Sequence, residues 1–281
     1  MFKAVKSWLR QLASGEASIN APMQETDDWQ WDMCVDVAVI GFGGAGASAA
    51  IEALDEGASV AIVERFNGGG STKISGGIVY AGGGTAIQKE AGIVDTPENM
   101  YNYLVQETGE AVCADTLRRF CQESPSNFEW LRQQGVPFEA SLYPFKTSYP
   151  SNQYYYYYSG NESFPPYTNT ADPAPRGHRA HGKGVSGAAL FKPLQDSARN
   201  KGALIMTQHR ATALVHNGEG EIVGLQLFRL PVFHINSRRQ FNTCLFSKGL
   251  QHVKIEAIGA GIVKLRGDCA EDGHLLIVNS E

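Results

Sequence analysis

Two glycine clusters on either side of one glutamate hold the chemistry legible in this chain. The first is Gly41-Phe42-Gly43-Gly44-Ala45-Gly46, a G-x-G-x-x-G pattern. Gly41 permits a tight turn, Gly43 has no side chain to keep an anion off the backbone, and Gly46 lets a following helix lie close to the preceding strand. The second cluster, GGGSTKISGGIVYAGGGT, runs from Gly68 to Thr85. Glycine costs about 1 kcal/mol relative to alanine in regular structure, so this density implies close approach of the backbone to something. Ser71, Thr72, Ser75 and Thr85 place hydroxyls beside exposed amides, which suits a phosphate chain and a flat polar ring. Between the clusters stands Glu64, 23 residues after Gly41, where a carboxylate accepts hydrogen bonds from a ribose. Together these residue types grip a dinucleotide.

The flanking pattern supplies the elements that would hold them. Val35, Val37 and Val39 interleave with Ala38 and Ile40, the continuous apolar run of a strand buried on both faces. Ala47, Ala50, Ile51 and Leu54 recur at helical spacing, and Gly57 is a C-terminal stop. Ser59 to Val63 reads as the second strand, ending at Glu64. The helix N-terminus adds partial positive charge and free N–H groups for a diphosphate. A purely structural glycine turn in an α/β protein is the alternative for the first cluster. A flexible low-complexity loop is the alternative for the second, and Ile74, Ile78, Val79 and Tyr80 argue against it.

The chain has 281 residues and a net charge of −5, with no block of lysine or arginine, so nucleic acid is not an expected partner. Its densest basic piece, Arg176 to Lys183, is broken by glycine and reads as a solvated loop. The five cysteines form no C-x-x-C pair, which argues against a disulfide framework and a zinc site and favours a reducing, cytoplasmic compartment. No run is long and apolar enough to span a membrane, and no metal site is expected. Met1 to Leu12 lacks the apolar core of a secretory signal. Phe2, Val5, Trp8, Leu9 and Leu12 would line one side of a short terminal helix, read as a packed or frayed arm.

Residues 13–33 read as a polar linker, with Trp29 and Trp31 packing under a sheet edge. Thr96-Pro97 opens a helix that Gly109 ends, Asp115 opens a second, and Ser124-Pro125 opens a third that Gly135 closes. Residues 137–184 are rich in proline and contain a run of tyrosines from Tyr154 to Tyr158. In a strand, Tyr154, Tyr156 and Tyr158 face one way and Tyr155 and Tyr157 the other. Either one face lines an apolar pocket, with Tyr154 and Tyr156 as substrate contacts, or the strand is packed on both sides. Leu190, Leu194 and Ala198 mark a helix ending at Gly202, opened or kinked by Pro193. Ala203–Thr207 and Ala211–His216 read as strands. Asn217-Gly218 marks a hairpin turn and Glu221–Phe228 the return strand, with Leu275–Val278 one more strand. Gly259-Ala-Gly261 lacks the helix and acid of a second fingerprint.

Taken together, these motifs resemble the FAD-dependent oxidoreductases of the fumarate reductase and 3-ketosteroid dehydrogenase superfamily, nearest its 3-ketosteroid Δ4-dehydrogenase-like branch. The residues that carry the likeness are DVAVIGFGGAGASAA at 36–50, ERFNGGGSTKISGGIVYAGGGT at 64–85, DTPENMYNYL at 95–104, YYSGNE at 157–162, PRGHRAHGKG at 175–184 and LFKPLQDSARNKGALIMTQHRATALV at 190–215. The resemblance implies FAD as cofactor. Gly41, Gly43, Gly44 and Gly46 would hold its pyrophosphate and Glu64 its adenosine ribose, with Arg65 beside it also binding the cofactor. Gly70, Ser71, Thr72, Ser75, Gly76 and Gly77 would follow the ribityl chain and flavin. Gly83 and Gly84 would pass near the isoalloxazine, and the Ala211 backbone would meet the adenine.

The expected fold is α/β, a Rossmann-like FAD-binding domain with a parallel central sheet plus a partial helical and tyrosine-rich cap. The expected domains are an N-terminal arm and linker at 1–33, the FAD-binding part at 34–95 and 185–230, a helical, substrate-facing insertion at 96–184 and a divergent tail at 231–281. The implied activity is hydride transfer between flavin N5 and a CH–CH bond of a small hydrophobic substrate such as a steroid, with an external electron acceptor. The family's capping tyrosines, or its arginine and histidine, have no match here, so no catalytic residue is assigned. The residues after Leu230 do not resemble the family, and the chain reads as incomplete at its C-terminus. The competing expectations are an inactive flavoprotein fragment, a fumarate reductase or succinate dehydrogenase-like flavoprotein, and an NAD-binding domain, to which the 68–85 cluster is surplus.

Overall fold

The computed structural model describes residues 21–229, 250–255 and 276–277. The terminal helix read at Met1–Leu12, the Gly259-Ala-Gly261 pair and most of the tail lie outside the described residues. The chain divides into two compact units.

The first unit comprises residues 1–42, 52–68 and 202–281. Its strands, in chain order, begin with β1 (Met23–Gln24), β2 (Met33–Val35), β3 (Val37–Ile40) and β4 (Val60–Glu64). Two sheets contain them. One is parallel along β3 and β4 and continues into β9 (Leu204–Thr207), with Leu276–Ile277 added antiparallel beside β3. Every residue of β4 is buried, as the unbroken apolar run requires. In the second sheet, β10 (His209–His216) and β11 (Ile222–Arg229) form the expected antiparallel hairpin. The 250–255 strand joins β11 to β2, and β1 runs parallel to β10. The hairpin turn is held by Asn217, whose side-chain oxygen accepts the N–H groups of Glu219 and Glu221.

Two readings change here. Val35 does not begin the central strand. The chain changes sheet at Asp36, whose carboxylate accepts the Ser59 N–H at 2.7 Å and its hydroxyl at 2.5 Å. The supposed linker supplies β1 and β2, because edge pairing satisfies backbone groups whatever the side chains are. Val35, Ala38, Ala61, Val63, Leu225 and Leu227 form one hydrophobic cluster of this unit's core.

The second unit comprises residues 43–51 and 69–201. It holds most of the helix α1 (Gly44–Asp55), and then α2 (Gly70–Ile74), β5 (Ile78–Tyr80) and α3 (Ala86–Glu90). Next come α4 (Pro97–Thr108), α5 (Ala114–Gln133), β6 (Leu142–Lys146), β7 (Tyr156–Tyr158), β8 (Gly177–Arg179) and α6 (Gly187–Asn200). Strands β5, β8, β7 and β6 make a small sheet in that order. Thr96 caps α4 by accepting the Asn99 N–H, Pro97 sits in its first turn, and Gly109 ends it at φ +55°, all as expected.

The helix expected to start at Ser124-Pro125 is instead the second half of α5, which runs through Pro125. Proline removes one backbone bond. Leu117, Cys121, Ser124 and Phe128 nevertheless recur at spacings of four, three and four and bury one continuous face, which outweighs that loss. Pro193 is likewise interior to α6, whose buried residues include Leu190, Phe191, Leu194 and Ala198.

Candidate cofactor site

In the first unit, the C-terminal ends of the parallel strands fall along one sheet edge, since Ile40 registers with Val63 and Glu64 with Thr207. In open α/β sheets this is the edge where ligands bind. Gly41 leaves β3 at φ +95°, with its N–H donated to the Val63 carbonyl at 2.8 Å. Glu64 is buried. Its two carboxylate oxygens accept the N–H groups of Phe42 at 2.8 Å and Phe66 at 2.6 Å, so the acid fixes the glycine turn. A carboxylate oxygen has a second lone pair, so this role leaves acceptor capacity for a ribose.

Arg65 is half-buried, its guanidinium 5.0 Å from the Phe66 ring. Burial, and secondarily the charge of Arg65, lower the pKa of Arg210. Ala211 pairs with Leu227 at the start of a bulge in β10, so the ladder is irregular where the adenine contact is expected.

In the second unit the structure brings Gly43, Gly44, Gly70 and Thr72 together. The Gly44 N–H donates to Thr72 Oγ1 at 3.0 Å. A Cβ on Gly44 would meet that oxygen at 3.0 Å, and one on Gly70, at φ +48°, would lie 3.6 Å from Gly43 Cα. Gly46 is buried in the first turn of α1, and that turn carries no acidic side chain of its own to offset its N–H dipoles. Ser71 and Ser75 are exposed. Ser75 Oγ donates to the Thr72 carbonyl and accepts the Gly77 N–H. Bare backbone, a helix start and exposed hydroxyls are the donors that a dinucleotide's phosphates need, so the residues present fit the group.

The rest of the glycine cluster packs against protein. A Cβ on Gly76 would meet Tyr149 at 2.9 Å, on Gly77 the Ser186 backbone at 2.6 Å, and on Gly82 both Arg176 and Asp95 at 2.8 Å. Successive amides of the 82–85 loop each have a side-chain acceptor. Gly82 N–H goes to Ser124, Gly83 to Asp95, and Gly84 and Thr85 to Gln88 Oε1. Thr85 is the N-cap of α3, reciprocally bonded with Gln88, and so is no free hydroxyl.

The basic segment is the largest departure from expectation. Arg176 and Arg179 are both 0 % exposed. Arg176 binds Asp95 through Nε and Nη2, each at 2.9 Å. Arg179 donates to the carbonyls of Pro150, Ser151, Gly182 and Gly184 and to Asn152 Oδ1, with the rings of Tyr149 and Tyr155 beside it. Alternation with glycine looked solvated; instead it threads two cations through the interior, Arg176 held by a carboxylate and Arg179 by carbonyl and amide oxygens.

Tyr156 is buried in the same way. It is 0 % exposed, its hydroxyl donates to the Pro175 carbonyl at 2.6 Å, and its ring packs 4.9 Å from that of His178. Tyr155 and Tyr157 are buried too, so this strand is packed on both faces. Tyr154 precedes β7 and is half-buried against Tyr143.

Sequence reasoning missed Gln88, Asp95, Ser124, Tyr149 and Glu162. The DTPENMYNYL and YYSGNE segments contained two of them, but an isolated acid in a loop carries no periodicity. No helix among the described residues is long and apolar enough to cross a membrane, and among them no cluster of His, Cys, Asp or Glu could hold a metal ion.

The family described as "FAD binding domain" matches residues 36–262. The chain is 45% identical over 209 residues to 3-oxo-5-alpha-steroid 4-dehydrogenase of Comamonas testosteroni, covering 73% of this chain and 39% of that protein. Among solved structures it resembles 3-ketosteroid-delta4-(5alpha)-dehydrogenase from Rhodococcus jostii RHA1, in complex with 4-androstene-3,17-dione. That TM-score is 0.70 at 32% identity, covering 83% of this chain and 46% of the other. A flavocytochrome c3 fumarate reductase shares the fold, with a TM-score of 0.59 at 20% identity over 90% of this chain and 35% of its own. The chain thus spans less than half the length of these relatives. On the match over 36–262, it belongs to the FAD-binding-domain family of the steroid dehydrogenases and fumarate reductases, and its cofactor is FAD.

Proposed function

We propose that this chain forms the FAD-binding part of an oxidoreductase that acts on a CH–CH bond of a 3-ketosteroid-type substrate and passes the electrons to an external acceptor. The observation that carries the reading is the glycine turn of 41–46, locked by Glu64, joined in sequence to a second cluster whose exposed 70–75 edge offers backbone and hydroxyls. Bound FAD would supply the hydride-accepting centre. Gly41, Gly43, Gly44 and Gly46 would hold the pyrophosphate, Glu64 the ribose and Ala211 the adenine, with Arg65 a further cofactor contact. Gly70, Ser71, Thr72, Ser75, Gly76 and Gly77 would follow the ribityl chain and flavin. Gly83 and Gly84, clamped by Asp95 and Gln88, would shape the wall beside the ring. Residues 34–95 and 185–230 would form the cofactor-binding part and 96–184 the substrate-facing insertion.

A steroid is favoured over a dicarboxylate. A dicarboxylate calls for free convergent arginines, whereas Arg176 and Arg179 are buried and committed to Asp95 and to carbonyls. The reading places the protein in a reducing, cytoplasmic compartment, in keeping with the free thiols of Cys34, Cys113 and Cys121. The test is titration of the purified full chain with FAD and, separately, NADH, followed by turnover of a 3-ketosteroid or succinate with an artificial acceptor. Expected are tight FAD uptake and steroid-dependent reduction. Preference for NADH, or no flavin uptake, would overturn the reading.

A further inference from the structure

Residues 75–77 lie between α2 and β5 and belong to neither, yet their three carbonyls are all taken up by protein donors. The Ser75 carbonyl accepts the Gly187 N–H at 2.9 Å, and the Gly77 carbonyl accepts the Ala180 N–H at 2.8 Å. The Gly76 carbonyl between them is served by side chains, the hydroxyls of Tyr149 at 2.9 Å and Ser186 at 3.0 Å. The C=O and N–H of a planar trans peptide point in opposite directions. Holding the carbonyls on the protein side therefore fixes which backbone groups the other side presents.

Tyr149 and Ser186 are themselves held as a pair. The Ser186 N–H donates to Tyr149 Oη at 3.2 Å, and the two hydroxyl oxygens lie 3.2 Å apart. Arg179 Nε donates to Ser186 Oγ at 3.3 Å, and the Arg179 guanidinium lies 4.3 Å from the centre of the Tyr149 ring. That ring rests directly on the segment, since a Cβ on Gly76 would meet Tyr149 Cε2 at 2.9 Å. A hydroxyl has one proton to donate, whereas Tyr149 Oη faces two carbonyls, those of Gly76 and, at 2.8 Å, Gly184. Each of these has a second donor: Ser186 Oγ for Gly76 and Arg179 Nη2 for Gly184. Whichever way the Tyr149 proton turns, neither carbonyl is left without a donor.

We propose that Tyr149 and Ser186 are a partly redundant pair of positioning residues for the flavin, which together fix the Gly76 peptide. The proposal rests on the reading that the ribityl chain and flavin follow residues 70–77. Redundancy gives it a signature that a purely structural contact lacks. Either hydroxyl can be lost at small cost, and losing both strips the Gly76 carbonyl of its side-chain donors.

The test is a double-mutant cycle on the full chain loaded with FAD, using Tyr149→Phe, Ser186→Ala and the two combined. Phenylalanine keeps the ring on Arg179 and removes only the hydroxyl. The readouts are the visible circular dichroism and midpoint potential of the bound flavin at saturating FAD, the FAD dissociation constant and the urea midpoint. Each single change should shift the flavin dichroism in the same direction and weaken FAD binding by less than about threefold. The double change should weaken it by about thirtyfold, more than the product of the singles, and should move the potential. If the double variant does not fold, the singles decide, and a dichroism moved in neither overturns the proposal. An unchanged dichroism and potential in the double variant, with only the urea midpoint lowered, would reduce the pair to a role in folding and overturn it too. A wild type that takes up no flavin overturns the cofactor reading itself, and this proposal with it.

Discussion

Asp95→Ala should be the most damaging single change in the second unit. The side chains of Asp95 and Arg176 are both 0 % exposed, and their bond is bidentate. Removing one member of a buried pair leaves the other charged and unpaired, at a cost of about 4 kcal/mol. The Gly83 amide and the Gln88 carboxamide lose an acceptor as well. At about 1.4 kcal/mol per factor of ten, the folding constant should drop roughly a thousandfold. For a body of this size the midpoint of thermal unfolding should fall by roughly 10 °C.

The assay is urea and thermal unfolding of the full chain, read by far-ultraviolet circular dichroism. A partner variant separates charge from packing. Asp95→Leu combined with Arg176→Met removes both charges and should recover at least half of the loss, because a buried ion pair exchanged for apolar side chains is close to neutral. If Asp95→Ala lies within about 1 kcal/mol of wild type, below the range for broken buried pairs, the pair does not hold this unit together. If the double variant is as unstable as the sum of the singles, charge is not the reason.

Other consequences are simpler to state. His178 Nδ1 donates to the Arg176 carbonyl and Nε2 accepts from the Thr85 hydroxyl. Burial lowers its pKa from 6.5 to about 4. The folded state therefore binds fewer protons than the unfolded one in this window. Stability should fall by ~3 kcal/mol as pH drops from 6.5 towards 4, and His178→Phe should flatten that part of the urea-midpoint profile. Glu64→Ala removes the acceptor of the Phe42 and Phe66 amides. FAD affinity by fluorescence titration should weaken by about 10- to 100-fold, with Glu64→Gln intermediate. A Cβ on Gly187 would sit 2.3 Å from the Thr72 carbonyl oxygen, so Gly187→Ala should cost ~3 kcal/mol in unfolding experiments. Amides at the start of α5 hold the Cys113 thiol below the usual range, whereas burial pushes Cys121 up to about 11. Peptide mapping after brief iodoacetamide treatment should find Cys113 alkylated and Cys121 intact.

What was legible in the residues was whatever is local or periodic. The strand, turn, helix and strand around Gly41, the caps at Thr96 and Gly109, the Asn217 hairpin and the face of α6 each follow from neighbours a few positions apart. Edge strands β1 and β2 were not legible, because their pairing partners come from residues far along the chain. Pro125 misled because a helix start and a tolerated interior proline look alike until the buried face is known. The arginines misled most. A guanidinium is read as solvated unless its acceptors are in view, and those of Arg179 are largely backbone carbonyls, which every residue possesses.

The second glycine cluster shows how one composition can answer two demands. At Gly76, Gly77, Gly82 and Gly83 the missing side chain makes room for Tyr149, Ser186, Arg176 and Pro97. Those glycines would be required whether or not anything were bound. Around Gly70 to Ser75 the situation is reversed, since Ser71, Ile74 and Ser75 face solvent and Ile74 is 78 % exposed. An apolar side chain exposed on a single-turn helix gains nothing for folding alone, and the Ser71 hydroxyl beside it faces solvent. The argument for a ligand therefore rests on 70–75 and on the Gly43–Gly44 turn beside it, not on the number of glycines. A substitution such as Ser71→Val, at an exposed position, should weaken FAD binding and leave the unfolding midpoint in place. Changes at 76–84 should do both together.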